Sequence, residues 1–303
     1  MGEVLRLHNE SVGTGDTIVR GTAAGGMVRI VSCSATMTVE RAHMLHGTSP
    51  VVTAALGRLL MAGLMMGQMS KVEDELITLN VRGSGPVGGL TVTANNQGQA
   101  KGFAYHPDVE LPLRQDGHLD VGSAIGEGSL SVVIDRPGVA PYSSQVALVS
   151  GEIAEDLTHY FAVSDQVPSS VGVGVLVDAG GDVLCAGGFI VQLMPGHTED
   201  VIESLEHNLS GIDSVTDLLR RGMGPADVAA LVLHDLDFEK LDEVPCEFYC
   251  GCDEERALRC VAALGFAEIS DMIAKGEPAE VYCHFCGTRH VLAPERLRSL
   301  IVR

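Results

Sequence analysis

Four cysteines near the end of the chain have the residue type and the spacing of a metal site. Cys250 and Cys252 form a C-x-C pair, Cys283 and Cys286 form a C-x-x-C pair, and thirty residues (253–282) separate the pairs. Four thiolates complete a tetrahedral zinc shell and leave no open position for a substrate or a water. The same sulfurs can instead form two local disulfides if an oxidant attacks them. A site with these two states has the properties of a switch.

The expected local backbone brings each pair of sulfurs together. Side chains i and i+2 of an extended segment point to the same side, so the first pair presents both sulfurs together across Gly251. The second pair is expected on a tight turn followed by Gly287, as in a zinc knuckle, because glycine tolerates a positive φ. Two close pairs at this spacing predict zinc.

The alternative for four cysteines is a pair of structural disulfides in a secreted protein. The first twenty residues include Glu3, Arg6, His8, Glu10 and Asp16, so they lack the apolar run of a signal peptide. We therefore expect a cytoplasmic protein. In that compartment thiols stay reduced, and clustered cysteines are more often metal ligands than disulfides.

Length, charge and hydropathy argue against several classes of function. The chain has 303 residues, enough for a large core and a smaller module, and 46% of them are hydrophobic. The formal net charge of −20 makes nucleic acid a poor partner, because phosphate binding depends on clustered lysine and arginine. The most apolar stretch, 51–69, is interrupted by Arg58 and Gln68, so its unbroken run falls short of the roughly 20 residues that span a bilayer. We expect no membrane span.

Three segments are expected along the chain: an α/β (α+β) core domain over 1–196, a short helical linker over 197–243 and a small zinc-binding module over 244–303. In the core, β-rich runs separated by turn residues predict a large sheet with packed helices. The predicted core strands are 27–31, 76–82, 89–94, 130–135, 172–177 and 183–193, and the predicted helices are 39–46, 51–69 and 152–161.

Short helices are predicted beyond the core. Residues 198–209 place Val201, Leu205 and Leu209 on one face, and Ser214 is expected to cap the next helix. Further helices are predicted over 225–234, over 254–264 with Asp253 as the cap, and over 267–274. Helices this short are marginal alone, so the linker is either an ordinary connection or a segment kept folded only by what it touches. The module is too small to fold without its metal.

From end to end the sequence resembles the heat shock protein 33 family of redox-regulated chaperones. The C-x-C and C-x-x-C pairs, with thirty residues between them, match the zinc signature of that family. Further matching motifs lie in the core domain: Gly57-Arg58-Leu59-Leu60, Arg82-Gly83-Ser84-Gly85-Pro86, Gly151-Glu152-Ile153-Ala154-Glu155-Asp156-Leu157, Tyr160-Phe161 and Gly187-Gly188-Phe189-Ile190-Val191-Gln192-Leu193-Met194-Pro195-Gly196.

The resemblance implies a stress-response chaperone that is not an enzyme. Its reduced form would be an inactive monomer with one zinc ion per chain, bound by Cys250, Cys252, Cys283 and Cys286. Oxidation would form two disulfides, Cys250 with Cys252 and Cys283 with Cys286, and expel the zinc. The module and the linker would then lose structure, and the chain would dimerise and hold unfolding client proteins without ATP.

Other cysteines and two histidines near the four ligands leave alternatives open. Cys246 lies four residues before Cys250, and Cys260 lies on a predicted helix, so either could compete as a ligand or as a disulfide partner. His284 and His290 flank the second pair and are expected beside the site, not as ligands.

Two further cysteines and the methionines of the long apolar stretch are expected in the core. Cys33 and Cys185 fall in apolar, strand-like runs and are expected to be buried, inert thiols. Gly63 and Gly67 are expected to let the long apolar helix approach the sheet closely. Core packing, rather than an adaptable client-binding surface, is also expected of the methionines in that stretch: Met61, Met65, Met66 and Met69.

Two other classes of function compete with the chaperone. A zinc hydrolase or thiol oxidoreductase is disfavoured, because a closed shell of four sulfurs has no open coordination position. A zinc-ribbon module that binds nucleic acid is opposed by the net charge. Basic residues near the C-terminus favour that second alternative: Arg289, Arg296, Arg298 and Arg303. The chain contains no G-x-x-x-x-G-K-[ST] loop, in agreement with independence from ATP.

Overall fold

The computed structural model describes residues 15–178, 180–212 and 214–301. The chain divides into two compact units, of which the first ends at Phe248 and the second begins at Tyr249. Residues 1–14, which carry most of the argument against a signal peptide, lie outside the described residues, as does Arg303.

Strands with intervening helices build the first unit, and every core strand and helix predicted from the sequence is present. In chain order its elements are β1 (Thr17–Ala23), β2 (Val28–Ser34), α1 (Thr36–His46), α2 (Pro50–Gln68), β3 (Leu76–Gly83), β4 (Gly89–Asn95), β5 (Gln99–Ala104), α3 (Val121–Ile125), β6 (Gly128–Asp135), β7 (Tyr142–Ala147), α4 (Ala154–Tyr160), β8 (Ser169–Val177), β9 (Val183–Leu193), α5 (Glu199–Ser210), α6 (Val215–Arg220), α7 (Pro225–Val232), β10 (Glu239–Pro245) and β11 (Glu247–Phe248).

The strands of the first unit form two sheets. The five-stranded sheet has the order β10-β1-β2-β9-β8, and all its neighbours are antiparallel. The six-stranded sheet has the order β11-β5-β4-β3-β6-β7 and is antiparallel except for the short parallel pair of β11 with β5. Strands that are distant in sequence therefore become neighbours.

Helix α2 is the centre of the main core and contacts strands of both sheets. It is long and apolar enough to cross a membrane, but 89% of its apolar window is buried inside the protein. Met61 and Met65 are fully buried, which confirms their predicted role in the core. At Gly63 a Cβ atom would lie 2.8 Å from the Val92 side chain, and at Gly67 it would overlap the Asn95 carbonyl. Both glycines therefore permit the close approach that the sequence predicted.

Helices α5, α6 and α7 pack over the outer face of the five-stranded sheet. Strand β2 shows why two cores form: Val28 and Ile30 face these helices, whereas Val31 and Cys33 face the α2 core. This second core joins sheet and helix residues: Ala23, Val28, Ile30, Phe189, Val191, Val201, Leu205, Val215, Leu218, Val228, Ala229, Val232, Leu233 and Leu236. The apolar face predicted on α5 (Val201, Leu205 and Leu209) thus lies in this second core, on the side of the sheet opposite the α2 core.

Strand β10 follows these helices and was not predicted from the sequence. Its segment, Glu239–Pro245, is largely charged and exposed, and it pairs with β1 at the edge of the sheet. The Arg20 guanidinium donates to the Asp242 carboxylate, with Nε 2.8 Å from Oδ1, and this hydrogen bond lowers the pKa of Asp242. The contact joins the two strands through side chains as well as backbone.

The second unit contains α8 (Glu254–Ala262), α9 (Phe266–Lys275), β12 (Ala279–Tyr282), β13 (Arg289–Leu292) and α10 (Pro294–Leu297). Asp253 caps α8 as predicted, accepting a hydrogen bond of 2.7 Å from the Arg256 backbone N–H. Its core is small and consists of Ala257, Leu258, Val261, Ile269, Ala279, Leu292 and Leu297. So few buried side chains supply little of the free energy needed to order the segment.

Candidate metal centre

Two separate segments of the second unit carry the four cysteines. Cys250 and Cys252 lie in the irregular segment that leads into the cap of α8. Cys283 and Cys286 lie on the tight turn between β12 and β13. The Cys283 carbonyl accepts the Gly287 N–H at 2.8 Å, and Gly287 has a φ of +70°, as expected of a zinc knuckle.

The fold brings all four sulfurs together. The sulfur of Cys250 lies 3.6 Å from that of Cys283, and the sulfur of Cys252 lies 3.4 Å from that of Cys286. All four ligand atoms lie within 4.8 Å of one another. A tetrahedral ion with metal–sulfur bonds of about 2.3 Å would separate its sulfurs by about 3.8 Å. The donor set and its spacing therefore fit one tetrahedral thiophilic cation such as zinc.

The electrostatics of the group also favour a cation. Hydrogen bonds from the thiols of Cys250 and Cys283 lower the pKa of Cys286, so the group readily holds one thiolate. Hydrogen bonds to the other sulfurs raise the pKa of Cys250, and burial, followed by hydrogen bonding with Cys286, raises that of Cys252 to about 12. The negative charge of one thiolate opposes deprotonation of the other thiols in the group. A bound divalent cation would cancel that repulsion.

Two side chains beside the sulfurs can orient them. His290 Nε2 lies 3.4 Å from the sulfur of Cys252, and Thr288 Oγ1 lies 3.1 Å from that of Cys286. His290 therefore contacts a cysteine sulfur without belonging to the four-residue group, as the sequence predicted. Thr288 was missed, and the available signal was its position two residues after a cysteine, directly after the turn glycine.

The other cysteines and the second histidine have different surroundings. Cys246 lies in the first unit, where it is 1% exposed and its sulfur is 3.6 Å from the Ser34 carbonyl. Burial raises the pKa of its thiol. Cys260, on α8, and His284 are exposed. None of the three belongs to the four-residue group found among the described residues.

Cys33 and Cys185 are buried in the first unit, as predicted. Burial raises the pKa of both thiols, so neither has the thiolate character of a reactive cysteine. The sulfur chemistry of the chain is therefore concentrated in the second unit.

A family profile described as "Hsp33 protein" matches residues 16–293, nearly the whole chain. The chain belongs to the Hsp33 family. The match includes the core, the helices α5–α7 and all four clustered cysteines.

Similar proteins agree with this assignment. The chain is 48% identical over 288 residues to a 33 kDa chaperonin of Lachnoclostridium phytofermentans, covering 95% of this chain and 99% of the relative. It is 44% identical to a 33 kDa chaperonin of Thermus thermophilus, covering 94% of this chain and 86% of the relative. The crystal structure of a 33 kDa chaperonin, a heat shock protein 33 homologue from Thermotoga maritima, matches with a TM-score of 0.85 and 35% identity, covering 95% of this chain and 98% of that one.

Proposed function

We propose that this protein is an ATP-independent holdase whose activity is switched on when its four clustered cysteines are oxidised. Membership of the Hsp33 family makes it a chaperone, and chaperones of this kind bind unfolded clients. The observation that carries the redox switch is the approach of four sulfurs, from two separate segments, to within 4.8 Å of one another. The geometry suits a closed metal site and also places every sulfur near a possible disulfide partner.

Zinc is the proposed metal, one ion per chain, held by Cys250, Cys252, Cys283 and Cys286. When bound it supplies the cross-link between the two cysteine segments that the small core of the second unit does not provide. The closed four-sulfur shell leaves no position at which a substrate could be activated, which supports a structural and sensory role rather than catalysis.

The proposed activation consists of two disulfide bonds, Cys250 with Cys252 and Cys283 with Cys286. For each bond two sulfurs lose two electrons, and one hydrogen peroxide accepts them together with two protons and leaves as two waters. Sulfurs bonded to each other no longer carry the negative charge that holds a divalent cation. The second unit then loses the cross-link that keeps it folded.

The client surface is proposed to be the face of the five-stranded sheet beneath α5–α7. These helices are short, and they depend on the second core for their stability. Their departure would expose a contiguous apolar surface that includes Ile30, Phe189 and Val191. The sheet would persist, because α2 holds its opposite face.

Three further properties complete the proposal. The thiols need a reducing compartment to remain in the metal-bound state, which supports a cytoplasmic location. The form with exposed apolar surface is proposed to be a homodimer and the zinc-bound form a monomer. The net charge of −20 keeps the active form soluble and opposes nucleic acid as a partner.

The decisive experiment measures light scattering by a heat-unfolding client protein. Zinc-loaded reduced protein and peroxide-treated protein are compared, and zinc release and free thiols are counted in the same samples. We expect suppression of scattering only after oxidation, together with the loss of one zinc and four thiols per chain. Equal suppression by both forms would contradict the switch, and no suppression by either would contradict the holdase.

A further inference from the structure

The two edges of the five-stranded sheet differ in how they are protected. The β10 edge has features that discourage strand addition: Glu239, Lys240, Asp242 and Glu243, a register shift in its pairing with β1, and Pro245, which has no N–H to offer. The opposite edge is β8, with the sequence Ser-Ser-Val-Gly-Val-Gly-Val-Leu-Val over Ser169–Val177. It contains no charge and no proline, and its only register shift is at its last residue.

The register of β8 shows which of its backbone groups lie open. The Leu193 N–H donates to the Pro168 carbonyl, and the pairing continues from Ser169 with Gln192. In an antiparallel pair, hydrogen-bonded positions alternate with positions whose N–H and C=O point away from the partner. The backbone N–H and C=O groups of Val171, Val173 and Val175 therefore point away from β9. Within the part of the chain that the structure describes, no backbone hydrogen bond is found for these outward groups.

A cleft of about 1060 Å³ runs along this edge, and every residue from Ser170 to Asp178 lines it. Its walls come from both cores: Leu111 and Leu119 pack against the α2 core, whereas Leu209 and Ile212 pack against the core beneath α5–α7. All of β8 except Val175 is only partly buried. The open edge is thus recessed between two walls and is reached by solvent.

Side chains cover the outer face of β8 but not its edge. A Cβ added at Gly174 would lie 2.7 Å from Thr216 Cγ2, and one at Gly172 would lie 2.7 Å from the Phe189 ring. These glycines let the neighbouring side chains lie directly on the strand. What β8 offers to a ligand in the cleft is therefore a row of backbone donors and acceptors, which only another extended backbone complements.

We propose that β8 binds an extended segment of an unfolded client, which adds to the five-stranded sheet as a sixth strand. This inference rests on the holdase function and adds, beside the apolar sheet face proposed above, the β8 edge of the same sheet as a second contact with the client. The segment is uncharged, apolar or β-branched, and up to the nine residues of β8 in length. Recognition through the backbone is independent of client sequence, which suits a protein that must hold many different unfolded chains.

A second copy of this chain fits the cleft less well than a single strand. The wall with Leu111 and Leu119 packs against the α2 core and stays in place when α5–α7 depart, and a second copy would bring the same wall beside its own β8, whereas a single strand brings none. The cleft carries both signs, with four carboxylates (Glu110, Asp116, Asp178 and Asp217) against Arg58 and Arg220, so its charge opposes an acidic segment and does not require a charged one. A bare extended chain is the occupant that the dimensions and the backbone groups favour.

Proline substitution tests the proposal. Val173→Pro removes one outward N–H, and an edge strand tolerates proline at such a position. Glu243→Pro is the matched control, since the pairing of β10 with β1 directs its N–H outward on the opposite edge. We expect oxidised Val173→Pro to bind client roughly five- to tenfold more weakly, while the control binds like the unchanged protein. Circular dichroism and thermal unfolding verify that both variants are folded.

A measurement on the unsubstituted oxidised protein keeps the test independent of folding defects. The probe is a fluorescent, uncharged nine-residue peptide rich in valine and threonine, compared with the same peptide N-methylated at every residue. Binding of the first peptide only, with slower amide exchange at Val171, Val173 and Val175, supports strand addition. Equal binding of both peptides, or unchanged exchange at β8, overturns it.

The outcomes separate this inference from the function on which it rests. If the oxidised protein suppresses client aggregation and Val173→Pro does so equally well, the β8 site is wrong and the holdase stands. If Val173→Pro abolishes a dimer measured by light scattering but leaves peptide affinity unchanged, the edge binds a second copy instead. If the unchanged protein suppresses nothing in either redox state, the function itself fails.

Discussion

The packing of α5–α7 against the sheet makes a quantitative prediction. Leu233, directly after α7, is 1% exposed in the second core. Replacing a buried leucine by alanine usually destabilises a protein by about 2–5 kcal/mol, because transfer free energy is lost and a cavity remains. Since 1.4 kcal/mol is a tenfold change, Leu233→Ala should raise the fraction of molecules with detached helices by roughly 30-fold or more.

The assay uses the reduced, zinc-loaded protein. Leu233→Ala should suppress the light scattering of a heat-unfolding client without any oxidant, because the sheet face is exposed while the cysteines are unchanged. Leu241→Ala is the matched control, since Leu241 is 58% exposed on β10 and its truncation creates no buried cavity. Zinc content should remain at one ion per chain in both variants.

Hydrogen exchange decides whether the reasoning is correct. In Leu233→Ala, exchange should accelerate in α5–α7 and stay slow in β3 and β4, which belong to the other sheet. Faster exchange in α5–α7 without holdase activity would show that the covered face is not the client surface. Faster exchange throughout the first unit would show that the helices and the sheet unfold together, which would refute the separate release of the linker.

Three further predictions concern the metal and one ion pair. Chelation of the metal should unfold the second unit, seen as faster amide exchange in α8 and α9 while β3 and β4 of the first unit are unchanged, because zinc sites of this kind contribute about 10 kcal/mol or more to folding. Cys283→Ser should abolish zinc binding measured by elemental analysis, whereas Cys260→Ser on exposed α8 should retain it; zinc loss in both would overturn the ligand assignment. Because the hydrogen bond from Arg20 lowers the pKa of Asp242, its contribution to stability is present above about pH 4 and is lost as the pH falls through the lowered pKa. Amide protection of β10 should therefore weaken in acid, and Asp242→Asn should remove that pH dependence.

Several features of the fold were predictable because they depend on neighbouring residues in the sequence. The apolar run 51–69 predicted α2, and β9 has the predicted bounds Val183–Leu193. Ser214 and Asp253 cap their helices as predicted, since a cap needs only a side-chain oxygen and the backbone three residues ahead. Such features are set by local hydrogen bonds and by hydrophobic periodicity.

Other features depend on partners that are distant in sequence. The charged segment of β10 has no strand-like pattern, and it is a strand because β1 offers an edge more than 200 residues earlier. Likewise β7 (Tyr142–Ala147) is polar and mostly exposed, and it follows from pairing with β6. Local periodicity does not reflect such pairing, so neither strand was predicted from the sequence.

The chemistry of the site follows from the amino-acid sequence alone: the four cysteines, their pairwise spacing and the acidic, glycine-rich chain around them. Spacing was sufficient because a metal shell of four sulfurs needs only donor type and reach along the backbone. Two features emerge only in the folded chain: α5–α7 cover the apolar face of the five-stranded sheet, and the edge of β8 stays open. Which apolar surface is covered, and which edge is left unpaired, depends on how distant segments pack together, and no local pattern encodes that packing.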